Sequence, residues 1–216
     1  MKRGWPWSRV LRETPEPWEQ PDDEVVSFAA QLTRGQRVLD LGCGVGRHSV
    51  FLAQRGFEVH ASDIAGDGLR ETVRRLRLGG VHGAVLRSDM TAVPYADAVF
   101  DAAIAVNVIY HGYRADVERC LAEVRRALKP GAPFFLTFNS TESDDWGRGR
   151  RVDDLTFVKV GGVEDGIPHY FVDRSEVERL MGAYELLDVA LKVEWPEDND
   201  GRKAAHWLVQ ARRPAS

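Results

Sequence analysis

The sequence predicts an α/β fold built on a doubly wound parallel sheet that ends in an antiparallel hairpin. Short apolar, β-rich runs alternate with amphipathic helices from Arg37 onward. A glycine-rich turn follows the first of those runs. Near the end, two long strand patterns follow each other with only a polar turn between them, as in a hairpin.

Taken in order, residues 1–22 are rich in Trp and Pro, show no period and read as an irregular arm. Asp22 or Asp23 then caps a short helix carrying Val25, Val26, Phe28, Ala29 and Leu32. Val38–Leu41 is the first strand, and a helix over residues 47–55 stops at Gly56. Phe57–Ser62, Ala84–Arg87, Phe100–Val106 and Pro133–Phe138 are the next four strands. Helices over 68–78 and 115–128 separate them, the second stopped by Lys129-Pro130-Gly131. Residues 140–173 are rich in Gly, Asp and Arg and show no clear core element. A helix over 175–181 leads to strands over 184–194 and 205–212, joined by a turn over 197–201. The expected strand order is 3-2-1-4-5-7-6, with helices on both faces. The chain divides into an arm or lid over 1–22 and one domain over 23–216, whose 140–173 insert covers the substrate.

The chemistry concentrates in the segment from Val38 to His48. Glycines at 42, 44 and 46 stand between a strand and a helix N-terminus, where backbone must approach a ligand closely. The spacing is G-x-G-x-G, not the G-x-G-x-x-G of a dinucleotide site. Asp40, two residues before Gly42, would repel a pyrophosphate and suits a ligand bearing an ammonium or a sulfonium. S-adenosylmethionine (SAM) carries both. Asp63 follows the second strand, where an acid holds a ribose diol in such sheets, and Asp89 follows the third.

This series of motifs resembles the class I SAM-dependent methyltransferase superfamily, and the Rossmann-like order above is what that resemblance implies. Asp40–Gly46, with Gly42, Cys43 and Gly44, matches its glycine motif. Asp63, with Ile64 beside it, matches the acid for the ribose hydroxyls. Asp89 matches the acid that takes the adenine amino group, with Met90 packed on the ring. Asn107 lies where the family's methyl-transfer site begins. The stretch Gly166–Phe171, the helix after it and the hairpin resemble the tellurite-resistance methyltransferase group. Pro17-Trp18 resembles an element of thiopurine-type methyltransferases in which a Trp lies over the cofactor, which would place Trp18 there.

The acceptor side carries His111, just past strand four, and His169 with Tyr170 in the insert. Each is a candidate for substrate contact or general base, or else a packed residue bonded to backbone. His48 either touches the cofactor or covers it, and His60 and His82 read as structural. Cys43 and Cys120 are too few and too far apart for a disulfide framework or a zinc site, and no metal is expected.

A net charge of -4 argues against a nucleic-acid partner, and the cluster Arg148, Arg150, Arg151 reads as a solvated loop. The first residues lack the apolar core of a signal peptide, and no run reaches membrane-span length, which points to the cytoplasm and no membrane partner. The expected function is SAM-dependent methyl transfer to a small-molecule acceptor. The alternatives are a non-catalytic SAM-binding domain and an NAD(P)-dependent oxidoreductase, the latter opposed by Asp40 and the glycine spacing.

Overall fold

The computed structural model describes residues 7–13, 20–195 and 201–215. Strands β1 (Arg37–Leu41), β2 (Glu58–Asp63), β3 (Ala84–Arg87), β4 (Ala102–Ala105) and β5 (Pro133–Ser140) form a parallel sheet in the order β3-β2-β1-β4-β5. Helices α3 (Arg47–Gln54), α4 (Gly66–Leu78) and α5 (Arg114–Ala127) lie between successive strands. Side chains alternate across the sheet with the period of two that a strand imposes. Val38, Ile104 and Phe135 pack with Leu52 of α3, Leu76 of α4, and Val25 and Phe28 of α2 (Asp23–Ala29). Leu39, Phe134 and Leu136 pack on the other face against Val117, Leu121 and Val124 of α5. Burying each such side chain stabilises the fold by roughly 1.5–3 kcal/mol.

Strands β9 (Glu185–Glu194) and β10 (Ala204–Arg212) form the expected hairpin, with β10 antiparallel to both β9 and β5. The outer order β5-β10-β9 therefore reproduces the expected arrangement. The turn residues Glu197–Asp200 lie outside the described residues.

Two segments differ from the sequence reading. The arm is not irregular throughout, since Trp7–Glu13 forms a helix, α1, with Val10 buried. The insert contains a core element. Strands β6 (Arg150–Arg151), β7 (Thr156–Val158) and β8 (Pro168–Val172) form an antiparallel set, and all five residues of β8 are buried. The turns of Gly and Asp around these short strands dilute their apolar signal.

β8 joins the main sheet through Asn139↔Phe171 and Ser140↔Val172, parallel to β5. Asn139 pairs on its other edge with His206 of β10. The edge of β5 that β4 occupies lower down is therefore taken over by β8 above, after β4 has ended at Ala105. This handover sets the start of β8 over the residues that leave β4. The backbone N–H of Tyr170 donates to the carbonyl of Tyr110 at 2.8 Å, tying the two together. Helix α6 (Arg174–Leu180) follows, its N-terminus capped by Asp173, which accepts from the Glu176 N–H at 2.8 Å. Among the described residues, no helix is long and apolar enough to cross a membrane.

Candidate active site

One cavity of about 510 Å³ opens at the carboxyl edge of the parallel strands. That volume is in the range of small-molecule sites, roughly 300–1,000 Å³. At one end the β1–α3 loop supplies Gly42, Cys43, Gly44 and Val45. Gly42 has φ +71, and a Cβ there would come within 2.2 Å of Val108. Gly46, with φ +85, caps α3 and would press a Cβ on Thr72 at 2.7 Å. Both positions demand glycine, because a side chain would collide with Val108 or Thr72, and the tight turn they permit brings the loop backbone to the cavity wall.

The three acids occupy different depths. Asp63 lines the cavity at the end of β2, its carboxylate accepting from the N–H of Gly44 at 2.9 Å and of Ala65 at 2.7 Å. Burial raises its pKa against those two bonds. Asp89 lines the cavity and also braces its own turn, accepting from the N–H and Oγ1 of Thr91 at 2.9 and 2.8 Å. Asp40 is not at the mouth of the loop. It faces the helix side of β1, is only 2% exposed, and accepts from Ser49 Oγ at 2.5 Å. Strand alternation turns it away from the cavity, with Leu39 and Leu41 on the opposite face. It acts at the loop through its field: burial, then Asp40, then Asp63, push the Cys43 thiol well above its ordinary value. That potential disfavours a thiolate, so Cys43 is a packed loop residue, and it favours a cationic ligand.

Ile64, Met90 and Asn107 line the same cavity, beside Ser62 and Ser88. Asn107 has φ +55, held by its N–H to Thr137 Oγ1 at 2.8 Å and by the Thr137 hydroxyl to its side-chain oxygen at 3.2 Å. His48 also reaches the cavity wall and accepts from the Asp22 N–H at 3.4 Å. Burial would raise the Asp22 pKa, but the bond to His48 and the charge of Arg47, 2.8 Å away, hold it low.

The far end is built from imidazoles. His111 and His169 meet edge to face with ring centroids 4.6 Å apart, and Trp7 of α1 meets His111 at the same distance. Tyr110 packs beside them, its ring tilted 47° to that of His111 with centroids 4.4 Å apart. Burial, reinforced by His169, pushes the His111 pKa down to about 3, so its ring is neutral and a poor general base near pH 7. His169 Nδ1 lies 3.2 Å from the Ile167 carbonyl, and its Nε2 lies 3.3 Å from Glu164. Burial would raise the Glu164 pKa, but His169 and His111 hold it down at about 2. Tyr170 is not part of this wall. The strand turns it to the opposite side from His169, and it sits 1% exposed in the core with its hydroxyl donating to Glu176.

α1 and the loop from Lys159 to Ile167 close over the cavity. Trp7, Val10 and Leu11 line it from one side, and Lys159, Val163 and Glu164 from the other. Arg9 Nη2 donates to the Gly162 carbonyl at 2.7 Å, joining the two. Trp18 lies outside the described residues. The structure thus brings Gly42, Cys43, Gly44, Asp63, Ile64, Asp89, Met90, Asn107, His111 and His169 to one cavity, but not Asp40 or Tyr170. Glu164, Tyr110 and Trp7 were not legible as site residues. Tyr110 and Glu164 carry only the signal of lying near a histidine in sequence, and Trp7 only that of an aromatic in the arm.

Residues 38–131 match a family described as "Methyltransferase domain". A sterol methyltransferase-like 2 from Botryococcus braunii is 30% identical over 148 residues, 66% of this chain and 36% of that protein. The chain thus spans about a third of that curated relative. A structure described as SAM-dependent methyltransferases from Methanosarcina mazei superposes with a TM-score of 0.75 at 20% identity, covering 91% of this chain and all of that one. TehB from Haemophilus influenzae gives 0.69 at 18% identity, covering 89% of this chain and 62% of that one, in keeping with the resemblance read from the insert and hairpin. With the glycine loop and the acids of β2 and β3 at the carboxyl edge of the sheet, the chain is similar to methyltransferases in sequence over residues 38–131 and shares the fold of the SAM-dependent methyltransferase structure.

Proposed function

We propose that this protein transfers the methyl group of SAM to a small-molecule acceptor held at the histidine end of the cavity. The observation that carries this reading is the continuity of the cavity, which joins Gly42, Asp63 and Asp89 to His111 and His169. The negative field around Cys43 supports a cationic cofactor over a dinucleotide. When bound, SAM supplies an electrophilic methyl on sulfur, so the protein has to orient, desolvate and discharge the acceptor. Asp63 would take the ribose hydroxyls, and Asp89 with Met90 the adenine. The Gly42–Gly44 backbone would lie along the methionine moiety, and Asn107 at the junction with the acceptor.

α1 and the 140–173 segment form the cover in this proposal. Trp7 and Leu11 exclude water from one side, and the loop carrying Glu164 does so from the other. The partial cover that α1 and the 159–167 loop place over the site supports a free small molecule over a base in nucleic acid. The net charge of -4 supports it too. The test is an acceptor screen read by S-adenosylhomocysteine release, spanning thiols, metalloid oxyanions, phenols, alcohols and amines. Turnover that falls in His111→Ala and His169→Ala, while S-adenosylhomocysteine still binds, is the expected result. A chain that binds the cofactor but turns over nothing in that panel would favour the non-catalytic alternative.

A further inference from the structure

The two histidines and Glu164 make an arrangement that methyl transfer does not require. Their ligating atoms all lie within 4.8 Å of one another. His169 faces the Ile167 carbonyl through Nδ1, and a carbonyl can only accept, so Nδ1 carries the proton. With Nδ1 turned to the carbonyl, Nε2 is the ring atom that faces a Glu164 carboxylate oxygen, 3.3 Å away. His111 retains 9% of its surface, and its Nδ1 has no hydrogen-bond partner among the described residues. Leaving a buried polar atom without a partner is costly, and here its natural counterpart is a cation shared with the other two groups.

We propose that His111, Glu164 and His169 bind a divalent transition-metal ion at the acceptor end of the cavity. Ligands about 2.1 Å from an ion lie roughly 3–3.5 Å from one another. The His169–Glu164 pair is already at that spacing, and no pair, all lying within 4.8 Å, needs to close by more than about 1.3–1.8 Å. The bond from His169 Nδ1 to a carbonyl is the outer support that fixes a ligating imidazole. Two imidazoles and one carboxylate select Zn²⁺, Fe²⁺, Co²⁺ or Mn²⁺ over Mg²⁺ and Ca²⁺, which prefer oxygen. Three protein ligands leave positions open to the cavity.

Those positions suit an acceptor oxygen, a role that rests on the methyl-transfer reading, whereas the metal site itself does not. A hydroxyl bound to the ion would lose its proton to solvent. Its oxygen would then form a bond to the methyl carbon, and the carbon–sulfur electron pair would stay on sulfur, leaving a neutral thioether and a methyl ether.

The test is titration of the chelator-treated full chain with Co²⁺, followed by calorimetry and ligand-field absorption, with Mg²⁺ as competitor. One equivalent should bind with visible d–d bands that Mg²⁺ does not remove. Glu164→Gln, on a surface loop, and His169→Ala should each weaken Co²⁺ by about 100-fold or more. S-adenosylhomocysteine binding, measured on the same samples, should persist. Absence of the bands, or Co²⁺ affinity unchanged in Glu164→Gln with unaltered melting, overturns the proposal. Co²⁺ binding without S-adenosylhomocysteine binding would uphold the metal site and remove the methyl-transfer reading.

Discussion

Arg9 of the first helix donates to the carbonyl oxygen of Gly162 at 2.7 Å, so the two covers of the cavity hold each other across 153 positions of sequence. Neither α1 nor the 159–167 loop has a large core of its own. Arg9→Ala should therefore loosen both, weakening S-adenosylhomocysteine by about two- to tenfold, the scale of one lost hydrogen bond. Trypsin should cut at Arg148–Arg151 and Lys159 faster in this variant than in the parent. Equal cleavage and equal affinity would make the contact incidental.

Asp63 has two duties in the same carboxylate, facing the cavity and bracing the N–H groups of Gly44 and Ala65. Asp63→Ala should lower both the melting temperature and SAM affinity. Asp63→Asn keeps one acceptor for the turn and should lose SAM binding by about 1–3 kcal/mol with most of the stability retained, as read by calorimetry and thermal melting.

Asp40 predicts a pH effect of opposite sign to the usual carboxylate. Burial, its largest influence, raises the pKa above 3.8, against His48, Ser49 and Arg47. A carboxyl whose folded pKa exceeds its unfolded value contributes stability below the unfolded pKa and loses it as pH rises through the folded one. Asp40→Asn removes that loss. Its melting temperature relative to the parent should climb from about pH 4 toward neutrality. SAM affinity should fall on the order of fivefold, the scale of a charge acting over several ångströms, and NADH binding should not appear.

Tyr170 gives the contrasting case for the histidine wall. Its hydroxyl donates to Glu176, which also meets Arg114 at 3.0 Å and Arg179 at 2.7 Å. Tyr170→Phe should cost about 0.5–1.5 kcal/mol of stability in denaturant melts and leave kcat unchanged. A fall in kcat without a stability change would return Tyr170 to the site.

The cofactor half was legible because its constraints are local. Gly42 and Gly46 are fixed by positive φ and close approach, and Asp63 and Asp89 by their place at strand ends. The acceptor half was not, because its constraints are long-range. Glu164 meets His169 only through the closure of the loop between them, and β8 gains its place from an edge that β4 vacates. Tyr170 and Asp40 were misplaced for one reason. Adjacent residues of a strand face opposite ways, so His169 and Leu41 could reach the cavity only if these neighbours did not. α1 was missed because the Pro and Trp around it hide a helix of two turns.

The loop carrying Glu164 closes on itself. Lys159 donates to the Ile167 carbonyl at 2.9 Å, and Gly166 donates back to the Lys159 carbonyl at 3.0 Å, so both ends are stapled before the chain enters β8. A segment tied in this way is an exchangeable cassette. Loops of other length and charge could be grafted between Lys159 and Ile167 without re-registering the sheet or touching the nucleoside cradle. Drift in acceptor preference among descendants of this chain would then concentrate in that short stretch, while the strand bearing His169 stays fixed as the anvil against which each new loop works.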